Sequence, residues 1–422
     1  MGVLTSFATP RRLIALVAVT VRIISTWRLS RISSKSSNLT SSNSTVSNST
    51  TVDSYLPAAT QPFRGITPVS QGHRANATFV FLCRNSDISG VVASIQSMED
   101  RFNKKYNYPW VFLNDEPFTE EFKQCRLDGT AKLRLSKTPN LISNVRMPPI
   151  SFGLIPSEHW VQPDWIDEDR ARRGRLQMTS QRIIYGGTRG ISGAAYLVSG
   201  SSDHGFSLGS VPYRNMCRFN SGFFFKHELL QPYRYYWRVE PSVKFFCDIK
   251  YDPFLYMQEH DKVYSFTISL EEHEPTVPTL WASVKEFMAQ YPQFIEPHNS
   301  MDFLSNDGGN KYNMCHYWSN FEIADMDFWR GEAYTKFFDF LEAKGGFYYE
   351  RWGDAPVHSI AASLFARPDQ IHFFRDIGYR HENFQHCPSG AQWSVGRCAC
   401  DPNDSFDYTD HSCLRRFEAL FQ

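Results

Sequence analysis

The chain lacks an excess of charge of either sign. Its 422 residues include 44 lysines and arginines and 44 aspartates and glutamates, so the formal net charge is zero. Without a global electrostatic field, nothing in the composition indicates a nucleic acid or another anionic polymer as a partner. The length is sufficient for one large domain or two ordinary ones, each with an ample core.

Three familiar sequence patterns are also missing. No Gly-x-Gly-x-x-Gly opens the first predicted helix, which argues against a dinucleotide site. No Cys-x-x-Cys pair occurs among the nine cysteines, so a zinc site has little support. No internal repeat is visible, and the N-terminal apolar segment is shorter than the about twenty residues of a full membrane span.

The N-terminal region predicts a membrane anchor followed by a polar stem. Leu13–Trp27 is an apolar segment of fifteen residues, interrupted by Arg22. The thinner bilayers of the early secretory route accept such short spans. Because no clean cleavage site follows, we interpret 13–29 as an uncleaved signal anchor and 1–12 as a cytoplasmic tail. Residues 30–74 are rich in serine, threonine and asparagine, which predicts a flexible stem.

Glycosylation sequons and cysteines indicate that the remainder, residues 75–422, lies in the lumen of the secretory pathway. Five Asn-x-Ser/Thr sequons follow the predicted anchor, at Asn38, Asn43, Asn48, Asn76 and Asn403. Four cysteines fall within 27 residues of a polar tail, at Cys387, Cys398, Cys400 and Cys413. They predict a disulfide-stapled tail in an oxidising compartment, and their three possible connectivities stay open. Cys83 and Cys247, in apolar strand-like runs, are interpreted as buried small hydrophobes.

Hydrophobic patterns after residue 75 predict an α/β domain. Ala77–Cys83 is a predicted strand, Asp87–Phe102 a helix with one apolar face, and Tyr108–Leu113 a second strand. Together they predict a right-handed βαβ unit and a nucleotide-binding half. Arg84 and Asp115 follow the two strands and are candidate nucleotide contacts, although roles in turns and helix caps explain them equally well.

An aromatic strand delivers a carboxylate further along the chain. Tyr233–Val239 is a predicted strand with Glu240 at its carboxyl end, and Pro241 then stops the ladder. Val243–Ile249 continues as an alternating apolar run. Since ligands bind outside the carboxyl ends of strands in open α/β sheets, Glu240 lies where it could contact a ligand. Taken alone, however, Glu-Pro is more simply a salt-bridged carboxylate at the rim.

Six long motifs occur one after another along the chain. Together they argue against interpreting Glu240 only as a salt-bridged carboxylate. They are Tyr213–Phe219, Trp237–Pro241, Phe246–Asp252, Tyr317–Ile323, Tyr349–Ser359 and Asp376–His381. The set resembles the fungal Golgi α-1,2-mannosyltransferases of glycosyltransferase family 15, from about Ala77 to Leu420. The resemblance implies a mixed-sheet, Rossmann-like α/β fold of the GT-A type in a single large luminal domain.

The same resemblance implies a reaction and its residues. A Mn²⁺-dependent enzyme would transfer mannose from GDP-mannose to the 2-hydroxyl of a mannosyl acceptor, with retention. Glu240 and His381 would bind the metal ion, and Tyr213 would lie near donor and acceptor. Glu322, flanked by apolar and aromatic residues, would face the anomeric carbon, as a nucleophile or as the stabiliser of same-face attack. His358 is the competing histidine and is assigned a lesser, structural role.

Two Asp-x-Asp matches and one insertion require separate interpretation. Asp167-Glu-Asp169 lies in a charged, helix-like run and Asp325-Met-Asp327 precedes a predicted helix, so we interpret both as structural and not as metal ligands. Residues 187–210 separate Ile183–Gly186 from the Tyr213 motif, where the family usually passes almost directly from one to the other. The insertion is either a long surface loop or a translated intron.

The resemblance further implies a single-pass type II Golgi membrane protein that elongates O-linked or N-linked mannan on secretory glycoproteins. Two rival functions remain open at this point. One is mannosylphosphate transfer, which uses the same donor and cleaves a different bond. The other is a catalytically silent lectin, against which the combination of Glu240, Glu322 and His381 argues.

Overall fold

The structure, a computed structural model, describes residues 73–124, 148–181, 183 and 211–422. The predicted tail and anchor, nearly all of the predicted stem, and the insertion at 187–210 lie outside the described residues. Within the described ranges, no helix combines the length and apolar character needed to cross a bilayer.

The described part of the chain contains both strands and helices. The strands are β1 (Ala77–Leu82), β2 (Trp110–Asn114), β3 (Ile150–Leu154), β4 (Tyr235–Val239), β5 (Lys244–Phe245), β6 (Tyr264–Phe266), β7 (Ser269–Glu271), β8 (Cys315–Tyr317), β9 (Glu322–Asp325), β10 (Ile371–Phe373), β11 (Tyr379–His381) and β12 (Phe384–His386). The α-helices are α1 (Ile88–Met98), α2 (Lys104–Tyr106), α3 (Glu120–Gln124), α4 (Ser157–Trp160), α5 (Glu168–Ser180), α6 (Val211–Gly222), α7 (Pro253–Glu259), α8 (Leu280–Gln290), α9 (Met301–Leu304), α10 (Met326–Arg330), α11 (Glu332–Lys344), α12 (Gly346–Tyr349), α13 (Asp354–Phe365), α14 (Gly390–Val395) and α15 (Leu414–Ala419).

A seven-stranded mixed sheet in the order β10-β6-β9-β4-β1-β2-β3 forms the centre of the domain. Strand β1 pairs in parallel with β2 and with β4, and β2 pairs in parallel with β3. Strand β9 runs antiparallel to both of its neighbours, β4 and β6. The predicted mixed α/β sheet is therefore confirmed, as is the parallel pairing of the first two strands around α1.

The central strands bury both of their faces, because helices and loops cover the sheet on each side. Successive residues of a strand point to opposite faces, so Tyr236 packs into one apolar cluster and Trp237 into the other. Aromatic rings fill both clusters; the ring centroids of Phe79 and Trp110, for example, lie 4.3 Å apart. This packing accounts for much of the 15% aromatic content.

The first predicted helix is present but does not remain α-helical to its end. It is α-helical over Ile88–Met98 and continues as a π-helical turn over Glu99–Asn103 before the short α2. The helical path ends at Asn107, whose φ of 58° is left-handed. Helix α11 ends at Gly345, which has the left-handed φ of 70° that favours glycine there.

Residues Val243–Ile249 alternate between buried and more exposed positions as predicted, but only Lys244–Phe245 form a strand. This strand, β5, pairs antiparallel with β11, which pairs with β12 in a small three-stranded sheet. Because β11 lies more than a hundred residues further along the chain, this pairing brings the C-terminal region back to the end of β4.

The disulfides correct two predictions. The bonds are Cys247–Cys398, Cys315–Cys413 and Cys387–Cys400, so only one pair joins two cysteines of the tail. Cys247 is therefore not an unpaired apolar residue, whereas Cys83 is buried and free as expected. The prediction that the four tail cysteines pair with one another was wrong, because the tail packs on the rest of the domain. For instance, the Cys413 N–H donates to the Ser269 carbonyl at 3.1 Å.

Candidate active site

The sheet topology brings several charged side chains to one edge. Strands β1, β2 and β4 are parallel neighbours, so their carboxyl ends share an edge of the sheet. Strand β9 runs the opposite way, so its first residue, Glu322, also lies at this edge. In the β4–β9 register Glu322 stands directly opposite Arg238. Glu240 follows β4 immediately, two residues beyond Arg238.

Glu240 and His381 lie side by side at this edge. The Nε2 atom of His381 is 3.3 Å from Oε2 of Glu240, and Arg238 donates to the other carboxylate oxygen, Oε1, at 2.5 Å. Burial by itself raises the pKa of Glu240, but the charges of Arg238 and His381 outweigh it and lower the pKa to about 2. A carboxylate held in its charged form beside an imidazole can offer two ligands to one cation.

Arg238 connects this pair with a second carboxylate. Its Nη1 donates to Oδ2 of Asp354 at 2.5 Å, and Ser319 Oγ donates to the same oxygen at 2.8 Å. Arg238 and Asp354 are both buried. A buried guanidinium requires charged partners, and Glu240 and Asp354 together supply them. Sequence reasoning missed Arg238 and Asp354 as members of the site, although both fall within the quoted motifs.

Glu322 is buried within a cage of hydrogen-bond donors and is 1% exposed. Tyr236 on β4 donates to Oε1 at 2.7 Å and Tyr264 on β6 donates to Oε2 at 3.0 Å. His358 on α13 places Nδ1 3.1 Å from Oε2. The two tyrosines flank Glu322 because β9 lies between β4 and β6 and the three side chains share one face of the sheet. The burial expected of Glu322 is confirmed, and His358 lies against it.

A small cavity opens beside Glu322 on this face of the sheet. Its lining consists of Val80, Leu82, Asn220, Phe224, Tyr236, Arg238 and Glu322. Helix α6 supplies Asn220, which is buried, and its Nδ2 has no hydrogen-bond partner among the described residues. An unpartnered amide N–H₂ in a buried polar cavity is unfavourable unless a ligand or water accepts from it. Sequence reasoning missed Asn220, since an asparagine inside a helix carries no local signal for this position.

Arg84 and Asp115 lie where predicted, immediately beyond β1 and β2. Burial raises the pKa of Asp115, and the positive charge of Arg84 acts in the opposite direction. The Arg84 N–H donates to the Asp87 carboxylate at 2.9 Å at the entry to α1. The two side chains are therefore close enough to interact at the shared carboxyl edge, and the capping geometry expected as the alternative is present as well.

Tyr213 lies in the first turn of α6, two helical turns or about 10 Å before Asn220. The Arg351 guanidinium carbon is 5.3 Å from the centroid of its ring. The described contacts thus join Glu240 with His381 directly, and Arg238 stands opposite Glu322 in the sheet. Tyr213 lies at the start of α6. The adjoining residues 184–210 are outside the described part of the chain.

Both Asp-x-Asp pairs have structural partners. The Asp167 side chain accepts from the backbone N–H of Arg170 and caps α5. The Asp325 side chain accepts from the backbone N–H of Asp327 and caps α10, and Arg234 donates to it at 2.8 Å. No group of three or more Asp, Glu, His or Cys side chains in the described residues could hold a metal ion by itself.

A mixed sheet of this order, with charged side chains at its carboxyl edge, defines a nucleotide-sugar glycosyltransferase fold of the GT-A type. Two solved structures share it. Mannosyltransferase Ktr4p from S. cerevisiae in complex with GDP gives a TM-score of 0.70 at 36% identity, over 83% of this chain and 82% of the other. Core-mannan synthase A from Aspergillus fumigatus, in a Mn/GDP form, gives a TM-score of 0.69 at 36% identity, over 83% of this chain and 87% of the other.

The family model for glycolipid 2-alpha-mannosyltransferases matches residues 31–421, and the chain belongs to this family. A relative in Candida albicans, glycolipid 2-alpha-mannosyltransferase 2, is 48% identical over 82% of this chain and 67% of its own length. The alpha-1,2 mannosyltransferase KTR1 of Saccharomyces cerevisiae is 46% identical over 83% of this chain and 80% of its own length. The recognition made from the motifs is confirmed.

Proposed function

We propose that this chain transfers mannose from GDP-mannose to the 2-hydroxyl of a mannosyl acceptor, with retention and with Mn²⁺ as the metal. The observation that carries the proposal is the meeting of the Glu240–His381 pair, Arg238 and buried Glu322 at one edge of the sheet. Family membership and the GDP and Mn/GDP structures of its relatives support the choice of donor and metal.

Glu240 and His381 fit a manganese site. One hard carboxylate oxygen and one imidazole nitrogen suit this ion. Arg238 occupies only one Glu240 oxygen, and the other oxygen lies 3.3 Å from Nε2 of His381, so these two atoms would bind the ion together. Two protein ligands leave coordination positions for the diphosphate of the donor. When bound, the metal neutralises the negative charge that accumulates on the leaving diphosphate.

The remaining residues bind the donor and stabilise charge. Arg84 and Asp115 contact the nucleotide at the carboxyl ends of β1 and β2. The Glu322 carboxylate stabilises positive charge that develops at the anomeric carbon, and the small cavity beside it accommodates a hydroxyl group of the sugar. The unpartnered Asn220 amide donates to a sugar oxygen there. We assign Tyr213 to the neighbourhood of donor and acceptor, as the resemblance implies.

The cellular setting is part of the proposal. Residues 13–29 anchor the chain in the Golgi membrane, residues 30–74 form the stem, and the domain acts in the lumen. The acceptor is then a mannosylated secretory glycoprotein. Asn76 and Asn403, the two described sequon asparagines, are both exposed, which supports luminal glycosylation.

Product analysis tests the function. The full-length chain, incubated with GDP-mannose, Mn²⁺ and methyl-α-mannoside, should form an α-1,2-linked dimannoside. Glu322→Gln should reduce turnover by about 10³-fold while GDP affinity changes less than about twofold, since it removes only charge stabilisation. An acid-labile phosphodiester product would identify mannosylphosphate transfer instead, and absence of GDP binding would favour a lectin. Near-normal turnover of Glu322→Gln would contradict the proposal that Glu322 stabilises charge at the anomeric carbon.

A further inference from the structure

His358 is completely buried between two oxygen atoms that accept hydrogen bonds. On one side, Nδ1 lies 3.1 Å from Oε2 of Glu322. On the other side, Nε2 lies 3.1 Å from the backbone carbonyl oxygen of Asn220. Helix α13 carries the imidazole, β9 carries the carboxylate and α6 supplies the carbonyl. The tertiary fold therefore fixes both contacts.

The hydrogen bonds of this imidazole determine how many protons the pair contains. A carbonyl oxygen can only accept, so Nε2 must carry a proton. A neutral imidazole then has a bare Nδ1, which would face the carboxylate of Glu322 without a proton between them. Two acceptors 3.1 Å apart in a buried site repel each other. The pair must therefore hold one proton more than a neutral histidine beside an ionised glutamate.

The surroundings favour placing this proton on His358. Trp329 Nε1 donates to the Tyr236 oxygen at 3.0 Å, so the single Tyr236 proton points to Glu322. Tyr264 donates a second hydrogen bond to the same carboxylate. Donors around a carboxylate stabilise its ionised form. The Trp329 ring also stacks on the imidazole, with centroids 4.4 Å apart, which favours a cation there.

The other ionisable groups around the pair do not compete for the proton. Burial raises the pKa of Tyr236, Tyr264 and Tyr334, so these phenols stay protonated. Asp354, one helical turn before His358 on α13, is paired with Arg238. Arg238 itself stands opposite Glu322 and adds a positive charge on the side of the cavity.

We propose that His358 is an imidazolium that positions Glu322 and holds its carboxylate in the ionised form. The functional part of this inference rests on the proposed role of Glu322 at the anomeric carbon. A carboxylate that took up a proton could neither stabilise positive charge nor act as a nucleophile. His358 is thus a positioning residue of the reaction and acts only through Glu322.

The protonation of the ring can be observed directly in the full-length wild-type chain. With ¹⁵N-labelled histidine, one imidazole should show both nitrogens protonated throughout pH 6–8, and its signals should disappear in His358→Gln. In Glu322→Gln the same ring should become neutral with a bare Nδ1, because an amide N–H can donate to it. His316 is the control in the same spectrum. It is also buried, and since burial lowers its pKa it should be neutral.

Kinetics supply the second test. His358→Gln should reduce kcat about 10²-fold with KM for GDP-mannose nearly unchanged, since misplacing a catalytic group costs that much. The remaining activity should fall more steeply towards acid pH than that of the wild type, because Glu322 has lost its cationic partner. Thermal unfolding of each variant identifies loss of folding.

Two results would overturn the inference. A bare Nδ1 on His358 in the wild type would place the proton on Glu322 instead. A His358→Gln variant with wild-type kcat and pH profile would show that Glu322 does not need the imidazolium. Either result leaves the mannosyl transfer itself intact. Full activity of Glu322→Gln would refute the role of Glu322 but would not affect the conclusion that His358 is protonated in the wild type.

Discussion

Arg238 is the residue around which the charged groups of the site are organised. It binds Glu240 and Asp354 and stands opposite Glu322. Two of these three carboxylates, Glu240 and Asp354, are held in place by the buried charge of Arg238. Glu240 consequently keeps one oxygen on Arg238 and presents the other to His381. The proposed metal site therefore depends on Arg238, a residue that would not itself bind the metal.

The metal requirement of the variants is the first prediction at the residue scale. Glu240→Gln and His381→Ala should each raise the Mn²⁺ concentration for half-maximal activity about 10²-fold, because each removes one of two protein ligands. A metal titration of initial rates measures this. Asp169→Ala and Asp327→Ala, in the exposed members of the Asp-x-Asp pairs, should leave the titration unchanged. Wild-type half-saturation in Glu240→Gln would contradict the ligand assignment.

The second prediction concerns acid stability. Burial, reinforced by the charges of Lys262, His260 and Arg375, lowers the pKa of His372 from 6.5 to about 3. The unfolded chain then binds a proton that the folded chain does not, so stability is lost as the pH falls from 6.5 towards 3. Between pH 6.5 and 4, the free energy of unfolding should decrease by about 1–3 kcal/mol less in His372→Gln than in the wild type.

Urea unfolding at several pH values measures this difference. His298→Gln is the matched control, since the His298 side chain is 89% exposed and should not affect the pH dependence. An unchanged pH dependence in His372→Gln would show that His372 does not stay neutral in the folded chain.

At the scale of elements, α6 and α13 cover the face of the sheet that carries Glu322. Helix α6 supplies Asn220 to the cavity and its carbonyl to His358, and α13 supplies His358 and Asp354. The close approach of neighbouring helices depends on small residues. A Cβ at Gly222 of α6, for example, would lie 2.0 Å from the Phe338 ring of α11. The packing of these helices thus determines where Asn220, His358 and Asp354 are placed.

Helix α5 provides the test at this scale. A Cβ at Gly174 would lie 2.2 Å from the Tyr349 carbonyl oxygen of α12, and a backbone atom cannot rotate away. Gly174→Ala should therefore lower the free energy of unfolding by about 1–3 kcal/mol, despite the higher helix propensity of alanine. Chemical denaturation measures it, with exposed Arg173→Ala in the same helix expected within about 0.5 kcal/mol of wild type. A more stable Gly174→Ala would show that the two helices can separate without cost.

At the scale of the whole molecule, the disulfides Cys247–Cys398 and Cys315–Cys413 attach the C-terminal region to the rest of the domain, and Cys387–Cys400 lies within that region. Cys315–Cys413 closes a segment of 98 residues, whereas Cys387–Cys400 closes one of 13. Loop-closure entropy grows with segment length, so removing the long link should cost about 4–5 kcal/mol and removing the short one about 3 kcal/mol. Double alanine variants compared by urea unfolding test this order. A larger loss for Cys387→Ala/Cys400→Ala would contradict it.

Much of the fold was predictable because its signals are local. The alternation and apolar runs of 77–83 and 108–113 predicted two parallel strands, and Glu240 was placed correctly at the end of the next one. The limits of this reasoning appear where side chains meet over long separations. His358 was assigned a lesser, structural role because no local pattern shows that its ring nitrogens would face Glu322 and Asn220, 36 and 138 residues away.

The sequence by itself determined the family, the α/β class and the identity of the residues at strand ends, since periodicity, turn residues and long motifs are encoded over short stretches. Only the tertiary structure decided which charges neutralise one another, which cysteines pair and which amide lacks a partner in the cavity. Those outcomes depend on the antiparallel course of β9 and on helices packed across one sheet face. Burial there makes every unpaired charge costly and so selects the partners.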